Sequence, residues 1–195
     1  MVVASFEEWR MIYVALLRGI NVGGKNKVEM RKLKETFERV GMSDVATYIN
    51  SGNVVFRDSR RKSPKIVSVL EEAIADDLGF EIKVLVRDLP AIRKVMKALP
   101  KEWTNDKNMR CDVIFLWEQF DRRDILKELK IKPEIEDVKY VPGALIWRID
   151  RSDVGKSRLF TIIGTDLYKG MTIRNCNTAR KLAELMETAN GGQKV

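Results

Sequence analysis

The sequence predicts an α+β protein built from two ferredoxin-like halves related by internal duplication. Apolar runs with strand character alternate with helical periodicity in the order β-α-β-β-α-β, which is the split βαβ unit. After a polar stretch interrupted by proline, the same order of elements follows a second time. We therefore expect an N-terminal extension, a first half, a linker, a second half and a flexible tail, at 1–10, 11–99, 100–109, 110–188 and 189–195 respectively.

The first half begins with "MIYVALL" at 11–17, an uninterrupted apolar run typical of a buried strand. Apolar residues then recur at helical spacing as far as Gly41, a typical helix stop. The segment "NSGN" at 50–53 predicts a hairpin between two β-prone runs, because Asn and Gly tolerate positive φ. A helix that Ser63-Pro64 begins, the strand "EIKVLV" and a third helix complete this half.

The second half repeats this order without evident sequence identity to the first. The strand "CDVIFLW" precedes a helix that we expect Asp121 to cap. A hairpin turning at Pro142-Gly143 follows, and then a short helix near 156–163 and the strand "YKGMTI". The last helix is expected to have Asn177 or Thr178 as its N-cap.

Composition favours a soluble protein with acidic partners. The net charge of +8 suits nucleic acid or small anions. No stretch approaches the roughly 20 apolar residues of a membrane span, and the first ten residues lack the layout of a secretory signal. The chain has two cysteines, which imply no disulfide framework, so we expect a cytoplasmic protein.

The absence of histidine narrows the possible chemistry. It excludes Ser-His-Asp and Cys-His catalysis and His-ligated zinc, and two cysteines cannot make a four-thiolate zinc site. We therefore predict no metal site and assign no cofactor. A catalytic function would have to use carboxylates, Lys, Arg, Tyr or Ser, and Asp150 and Asp153 are the candidates for an enzyme of unrecognised type.

The loop after the first strand has part of a P-loop pattern. Gly19 to Lys25 satisfy its spacing, but Asn26 stands where a Ser or Thr hydroxyl would bind Mg²⁺. A second fragment, Gly155-Lys156-Ser157, lacks the upstream glycine because position 150 is an aspartate. Neither match is complete, so the pattern does not favour an ATPase or GTPase.

The same loop has two interpretations that the sequence leaves open. It could be only a tight turn, in which Asn21 satisfies backbone groups. Cations beside glycine-rich backbone N–H groups also form an anion nest, and we favour this interpretation. The ligand would be a nucleotide or another phosphate-bearing metabolite, held where the two halves meet. The candidate residues are Arg18, Asn21, Gly23, Gly24 and Lys25, joined from other loops by Asn53, Arg174 and Asn175.

A second possible partner is nucleic acid. The run "FRDSRRKSPK" has five cations and one acid, and its candidate phosphate contacts are Arg57, Arg60, Arg61, Lys62 and Lys65. The adjacent "SGNVVF" has one aromatic where an RNA-reading sheet needs several, so we interpret it as a packed hairpin.

The cysteines differ in their surroundings. Cys176 stands near a helix start with Arg174 close by, a setting that lowers a thiol pKa. Without a histidine base we nevertheless favour a structural thiol over a nucleophile. Cys111 opens an apolar strand and is expected in the core.

Three segments carry a resemblance to a known family. "LLRGINVGGKNKVEM", "TYINSGNVVF" and "TIRNCNTARKLAELM" resemble the bacterial and archaeal protein family called domain of unknown function 1697, over about residues 11–188. The resemblance implies a duplicated α+β architecture and a cytoplasmic protein, and it supplies no catalytic residue. An aromatic is usual in that family where Cys176 stands, which further weakens a nucleophilic role.

Overall fold

The chain forms two compact units. The structure is a computed structural model that describes residues 11–21, 27–59 and 62–191. One unit extends to Leu89 and includes the chain again from Leu185, and the other is Pro90–Glu184. The N-terminal extension expected at 1–10 lies outside the described residues.

The first unit is a four-stranded antiparallel sheet with two long helices. Its strand order is β2-β3-β1-β4. The elements are β1 (Met11–Leu17), α1 (Met30–Arg39), β2 (Ser43–Tyr48), β3 (Asn53–Asp58), α2 (Ser63–Leu78) and β4 (Val84–Asp88). The strand at 11–17 and the hairpin around "NSGN" are confirmed, whereas the last strand begins three residues later than expected.

The second unit has an antiparallel sheet of the same order, β6-β7-β5-β8, and two of its helices are only one turn long. The elements from the unit boundary onward are α3 (Leu89–Ala98), β5 (Met109–Leu116), α4 (Ile125–Glu128), β6 (Glu136–Val141), β7 (Ala144–Asp150), α5 (Asp166–Lys169), β8 (Met171–Asn175) and α6 (Cys176–Gly191). The end of α6, from Leu185, belongs to the first unit. Short 3₁₀ helices lie at Glu118–Phe120, Arg151–Lys156 and Leu159–Ile162. The α+β class is therefore confirmed, with two four-stranded antiparallel sheets.

Aromatic side chains fill the centres of both cores. In the first unit the Phe37 ring of α1 meets Phe56 of β3 edge-on at 5.4 Å, and Tyr13 stacks on the same ring at 5.7 Å. In the second unit Trp147 is fully buried, and Nε1 of its indole donates to Glu136 at 3.2 Å. The apolar faces of the sheets thus bury their aromatic side chains as the strand patterns require.

Two capping expectations are corrected. Asp121 caps no helix, because its carboxylate accepts hydrogen bonds from the Tyr140 hydroxyl at 3.0 Å and the Gly143 backbone N–H at 2.8 Å. It thereby fixes the β6–β7 turn. The N-cap of α6 is Asn175, whose Oδ1 accepts from the Thr178 N–H at 2.9 Å.

The stretch expected as a linker packs within the second unit. Trp103 is buried there, and the Arg180 guanidinium of α6 donates to the Pro100 carbonyl at 2.8 Å. Met109, the last residue of that stretch, already belongs to β5. The expected tail also differs, because α6 continues through Gly191.

Candidate functional site

Three segments of the first unit meet at one end of its sheet. The strand β1 lies between β3 and β4, so its C-terminal end is flanked by the hairpin turn and by the start of β4. Here the Leu17 N–H donates to the Gly52 carbonyl at 2.8 Å. The next N–H, from Arg18, donates to the Lys83 carbonyl at 3.0 Å. The loop that leaves β1 is therefore held on both sides.

Asn21 closes that loop through its side chain. Its Oδ1 accepts from the Val28 N–H at 2.8 Å, and its Nδ2 donates to the Val28 carbonyl at 3.0 Å. The same Nδ2 donates to the Asn50 carbonyl of the hairpin turn at 2.8 Å. The carboxamide thus fixes both ends of the segment 22–27 and ties it to the neighbouring turn.

Gly52 allows the two loops to approach each other. Its φ is +70°, and a Cβ at this position would lie 2.7 Å from Cδ1 of Ile20 and 2.8 Å from Cβ of Leu17. Any larger residue would push the turn away from the end of β1. The glycine of "NSGN" therefore serves the contact between loops as well as the turn.

Ile49 marks the same end of the sheet with an unusual backbone conformation. Its φ is +48°, in the left-handed region that β-branched residues rarely adopt, and its side chain is 51% exposed. Strained residues of this kind cluster at binding sites, where the surrounding structure holds them in place.

Cations surround this end of the sheet. Arg18 is half-buried and Lys27 is exposed. The Lys83 ammonium lies 3.1 Å from Oε2 of Glu71, whose Oε1 accepts the Val84 N–H at 2.9 Å. We call this region, made of Arg18 to Asn21, Lys27-Val28, Ile49 to Gly52 and Lys83, the loop cluster.

The predicted anion-binding residues fall into separate groups. Arg18 and Asn21 belong to the loop cluster, whereas Gly23, Gly24 and Lys25 lie outside the described residues. Asn53 is fully buried next to the cluster. Its Nδ2 donates to the Tyr48 carbonyl at 3.1 Å and to Oγ of Ser51 at 2.9 Å, so its side chain shapes the turn.

Arg174 and Asn175 lie in the second unit. The Arg174 guanidinium is buried and donates to Oγ1 of Thr172 at 3.0 Å and to the Ile173 carbonyl at 2.8 Å. Burial lowers its pKa to about 10, because removal from water disfavours the charged form. Asn175 is the cap of α6 already described. A role for either residue in the ligand site of the first unit stays a prediction.

The predicted nucleic-acid contacts differ from one another in their surroundings. Nε of Arg57 lies 2.8 Å from a carboxylate oxygen of Asp44, and its guanidinium also donates to the Ala189 carbonyl. That side chain is buried and is part of the packing of the first unit. Lys62 and Lys65 are exposed at the start of α2. The predicted contacts Arg60 and Arg61 lie outside the described residues.

The candidate carboxylates form ion pairs at the surface. Asp150 lies 3.3 Å from the Arg148 guanidinium, and Asp153 lies 2.7 Å from the Lys156 ammonium. Within the described residues, no group of three or more His, Cys, Asp or Glu side chains is placed to hold a metal ion. None of the described helices combines the length and the apolar character needed to cross a membrane.

Sequence reasoning missed two members of the loop cluster. Lys83 falls inside a predicted strand, and only the register of β1 with β4 brings it beside Arg18. Ile49 reads as an ordinary strand residue in "VATYI". Its position next to "NSGN" was the available signal, since the residue before such a turn must absorb part of the chain reversal.

Comparisons with known proteins agree with the fold. No curated protein sequence matches the chain. The chain is similar to a solved structure, the conserved bacterial protein SP0830 from Streptococcus pneumoniae, at 28% sequence identity and a TM-score of 0.77. The match covers 91% of this chain and 99% of that one. The family model described as "Protein of unknown function (DUF1697)" matches residues 11–147, and the chain belongs to this family.

Proposed function

We propose that the protein binds an anionic, phosphate-bearing small molecule at the loop cluster. The observation that carries this proposal is the closure of the segment 22–27 by the two hydrogen bonds between Asn21 and Val28. These hydrogen bonds join the two ends of the segment, so part of the entropy cost of ordering it is met before an anion binds.

The composition of the closed segment supports an anionic ligand. It contains Gly23 and Gly24, which let backbone N–H groups approach a ligand, and Lys25 and Lys27, which supply charge. Arg18 stands immediately before the loop. Asn26 replaces the hydroxyl that would position Mg²⁺ in a P-loop, so binding should not require that ion.

We also propose a duplicated architecture and a cytoplasmic location for the protein. The strand orders β2-β3-β1-β4 and β6-β7-β5-β8 place corresponding strands in the same sequence, which supports two ferredoxin-like halves related by duplication. Both cysteines are free thiols, which supports a cytoplasmic protein.

A thermal-shift screen tests the ligand-binding proposal. The full chain is mixed without Mg²⁺ with inorganic pyrophosphate, nucleotides and sugar phosphates. A ligand at 100 times its Kd that binds only the folded state adds about 2.7 kcal/mol, which corresponds to a rise in Tm of roughly 5–10 °C. Lys25→Ala should abolish the shift.

Lys62→Ala is the matched control, because it removes the same charge from an exposed position outside the loop cluster. It should leave the shift unchanged. The absence of a shift with every phosphate compound would refute the proposal, as would a shift that Lys25→Ala leaves intact.

Nucleic acid is the second candidate partner, supported by the exposure of Lys62 at the N-cap of α2 and of Lys65 in its first turn. A fluorescent single-stranded oligonucleotide distinguishes it. Binding that falls steeply with salt and weakens in the Lys62→Ala and Lys65→Ala variants would favour this candidate. Binding unaffected by either substitution would remove this surface from consideration.

A further inference from the structure

The register of the second sheet brings the two cysteines together. The antiparallel pairing of β5 with β8 sets Asp112 opposite Asn175. Cys111 precedes Asp112 in β5, and Cys176 follows Asn175 as the first residue of α6, so the two cysteines stand just beyond the last pair. Directly opposite residues in an antiparallel pair have Cα atoms about 4.5–5.5 Å apart and side chains on the same face. A disulfide requires a Cα separation of about 4.4–6.8 Å. Continuing this register by one residue on each side brings the two cysteines within reach of a disulfide.

The two thiols influence each other. The interaction between them raises the pKa of Cys111 and lowers the pKa of Cys176. Both residues are fully buried, and both are free thiols in this structure. The two thiols are thus neighbours in the interior of the second unit.

The surroundings shift the pKa values of the two thiols in opposite directions. Cys176 is the first residue of α6, and Nη1 of Arg180, one turn further on, lies 3.7 Å from its sulfur. The interaction with the Cys111 thiol lowers the pKa of Cys176, burial opposes this effect, and the Arg180 charge lowers the pKa further. The interaction with Cys176, together with burial, raises the pKa of Cys111. Cys176 is thus the sulfur suited to attack, and Cys111 is suited to resolve.

We propose that Cys111 and Cys176 form a redox-active pair that a small hydroperoxide converts into an intramolecular disulfide. The Cys176 thiolate attacks one peroxide oxygen, the O–O bond breaks, and with one proton the products are a sulfenic acid and the first water, or an alcohol from an organic hydroperoxide. The Cys111 sulfur then attacks the Cys176 sulfur as its own proton leaves. The S–S bond forms, and the sulfenic hydroxyl departs with that proton as water. Two electrons pass from the sulfur atoms to the peroxide.

Burial determines which oxidant fits this site. A molecule the size of hydrogen peroxide can reach a buried sulfur through small fluctuations. A bulky disulfide such as oxidised glutathione would need the segment 100–105, which lies next to the Cys176 sulfur, to open. That segment is held to α6, because the Arg180 guanidinium donates to the Pro100 carbonyl and the Asn177 amide donates to the Asn105 carbonyl at 2.9 Å. We therefore assign the site to small hydroperoxides.

The test treats the reduced full chain with hydrogen peroxide and then analyses its intact mass and its peptides. The expected product has lost two hydrogens, has Cys111 and Cys176 joined in one cross-linked peptide, and returns to the dithiol form with dithiothreitol. Oxidised glutathione at the same concentration should react far more slowly. Unreacted thiols, sulfinic acids without a cross-link, or disulfides between chains would overturn the proposal.

Single substitutions test the assigned roles. In Cys111→Ser, the Cys176 sulfenic acid should persist long enough to be trapped by dimedone, because no resolving thiol remains. In Cys176→Ser, Cys111 should stay a thiol under the same treatment. Faster oxidation of Cys111 than of Cys176 would overturn the assignment. Rate measurements on the two sulfur atoms of the unsubstituted chain give the same information if a variant does not fold.

Discussion

Replacing Asn21 by alanine should destabilise the first unit by about 3 kcal/mol, since each hydrogen bond contributes about 1 kcal/mol. The carboxamide makes three hydrogen bonds, two to Val28 and one to Asn50. Alanine would also have to adopt the φ of +54° that Asn21 has, which adds about 1 kcal/mol for a residue with a Cβ and no local hydrogen bond. The hydrogen bond to Asn50 is exposed to solvent and therefore contributes less than the other two. This smaller contribution offsets the added strain, so the expected total stays as given above.

The assay is unfolding by urea and by heat. A loss of this size corresponds to a fall in Tm of roughly 6–12 °C for a chain of this length. Asn21→Gly removes the same hydrogen bonds without the strain, so it should lose about 1 kcal/mol less.

Asn50→Ala is the matched control, because the turn uses the Asn50 backbone carbonyl and its exposed side chain can be removed. It should change the stability by less than about 0.5 kcal/mol. An Asn21→Ala variant as stable as Asn50→Ala would refute the structural role of the carboxamide. It would return Asn21 to the set of direct ligand contacts.

Two further perturbations test the packing of the loop cluster and a pH effect. In urea unfolding, Gly52→Ala should destabilise the protein by more than Gly19→Ala. Both positions have positive φ, but only a Cβ at Gly52 would meet other atoms within 4 Å. Equal losses of stability would contradict the close approach of the loops. The Thr104 hydroxyl, followed by the N–H groups of Met109 and Asn108, lowers the pKa of Asp106 from 3.8 to about 2. Because folding depresses this pKa, the ionised Asp106 stabilises the folded state above pH 3.8, and this stabilisation is lost as the pH falls to about 2. The difference in stability between the unsubstituted chain and Asp106→Asn should therefore shrink over that range. A carboxyl titration midpoint near 3.8 by NMR would disprove the effect.

Much of the fold follows from periodicity and turn chemistry. The strand at 11–17 is predicted to the residue, since an apolar run between polar segments has one reasonable interpretation. Gly79 ends α2 as expected. The helices of the second unit are less predictable, because short segments such as α4 lack the two or three turns that make a period visible. There, tertiary hydrogen bonds such as those of Asp121 decide the local structure.

The division into units could not be obtained from the order of elements. A boundary at a polar, proline-containing stretch is a reasonable expectation, but α3 belongs almost entirely to the second unit and the end of α6 belongs to the first. Which sheet a helix joins depends on its apolar face and on where the chain can reach. Trp103 is an example, because this single aromatic of a polar stretch is buried in the second unit while most of its neighbours stay at the surface.

Polar residues in the loops of the first unit have a structural role that does not depend on a ligand. Two of the segments that resemble the family, "LLRGINVGGKNKVEM" and "TYINSGNVVF", are joined by the hydrogen bonds of Asn21 with Asn50 and of Leu17 with Gly52. Asn21 and Gly52 of these segments thus help to hold the two loops together, so their presence alone does not require a ligand. Lys25 and Lys27 are different, because closing the loop by Asn21 and Val28 makes no use of a lysine side chain. The case for an anion therefore depends on the charged residues inside the closed segment, and the effect of Lys25→Ala on binding is the measurement that decides it.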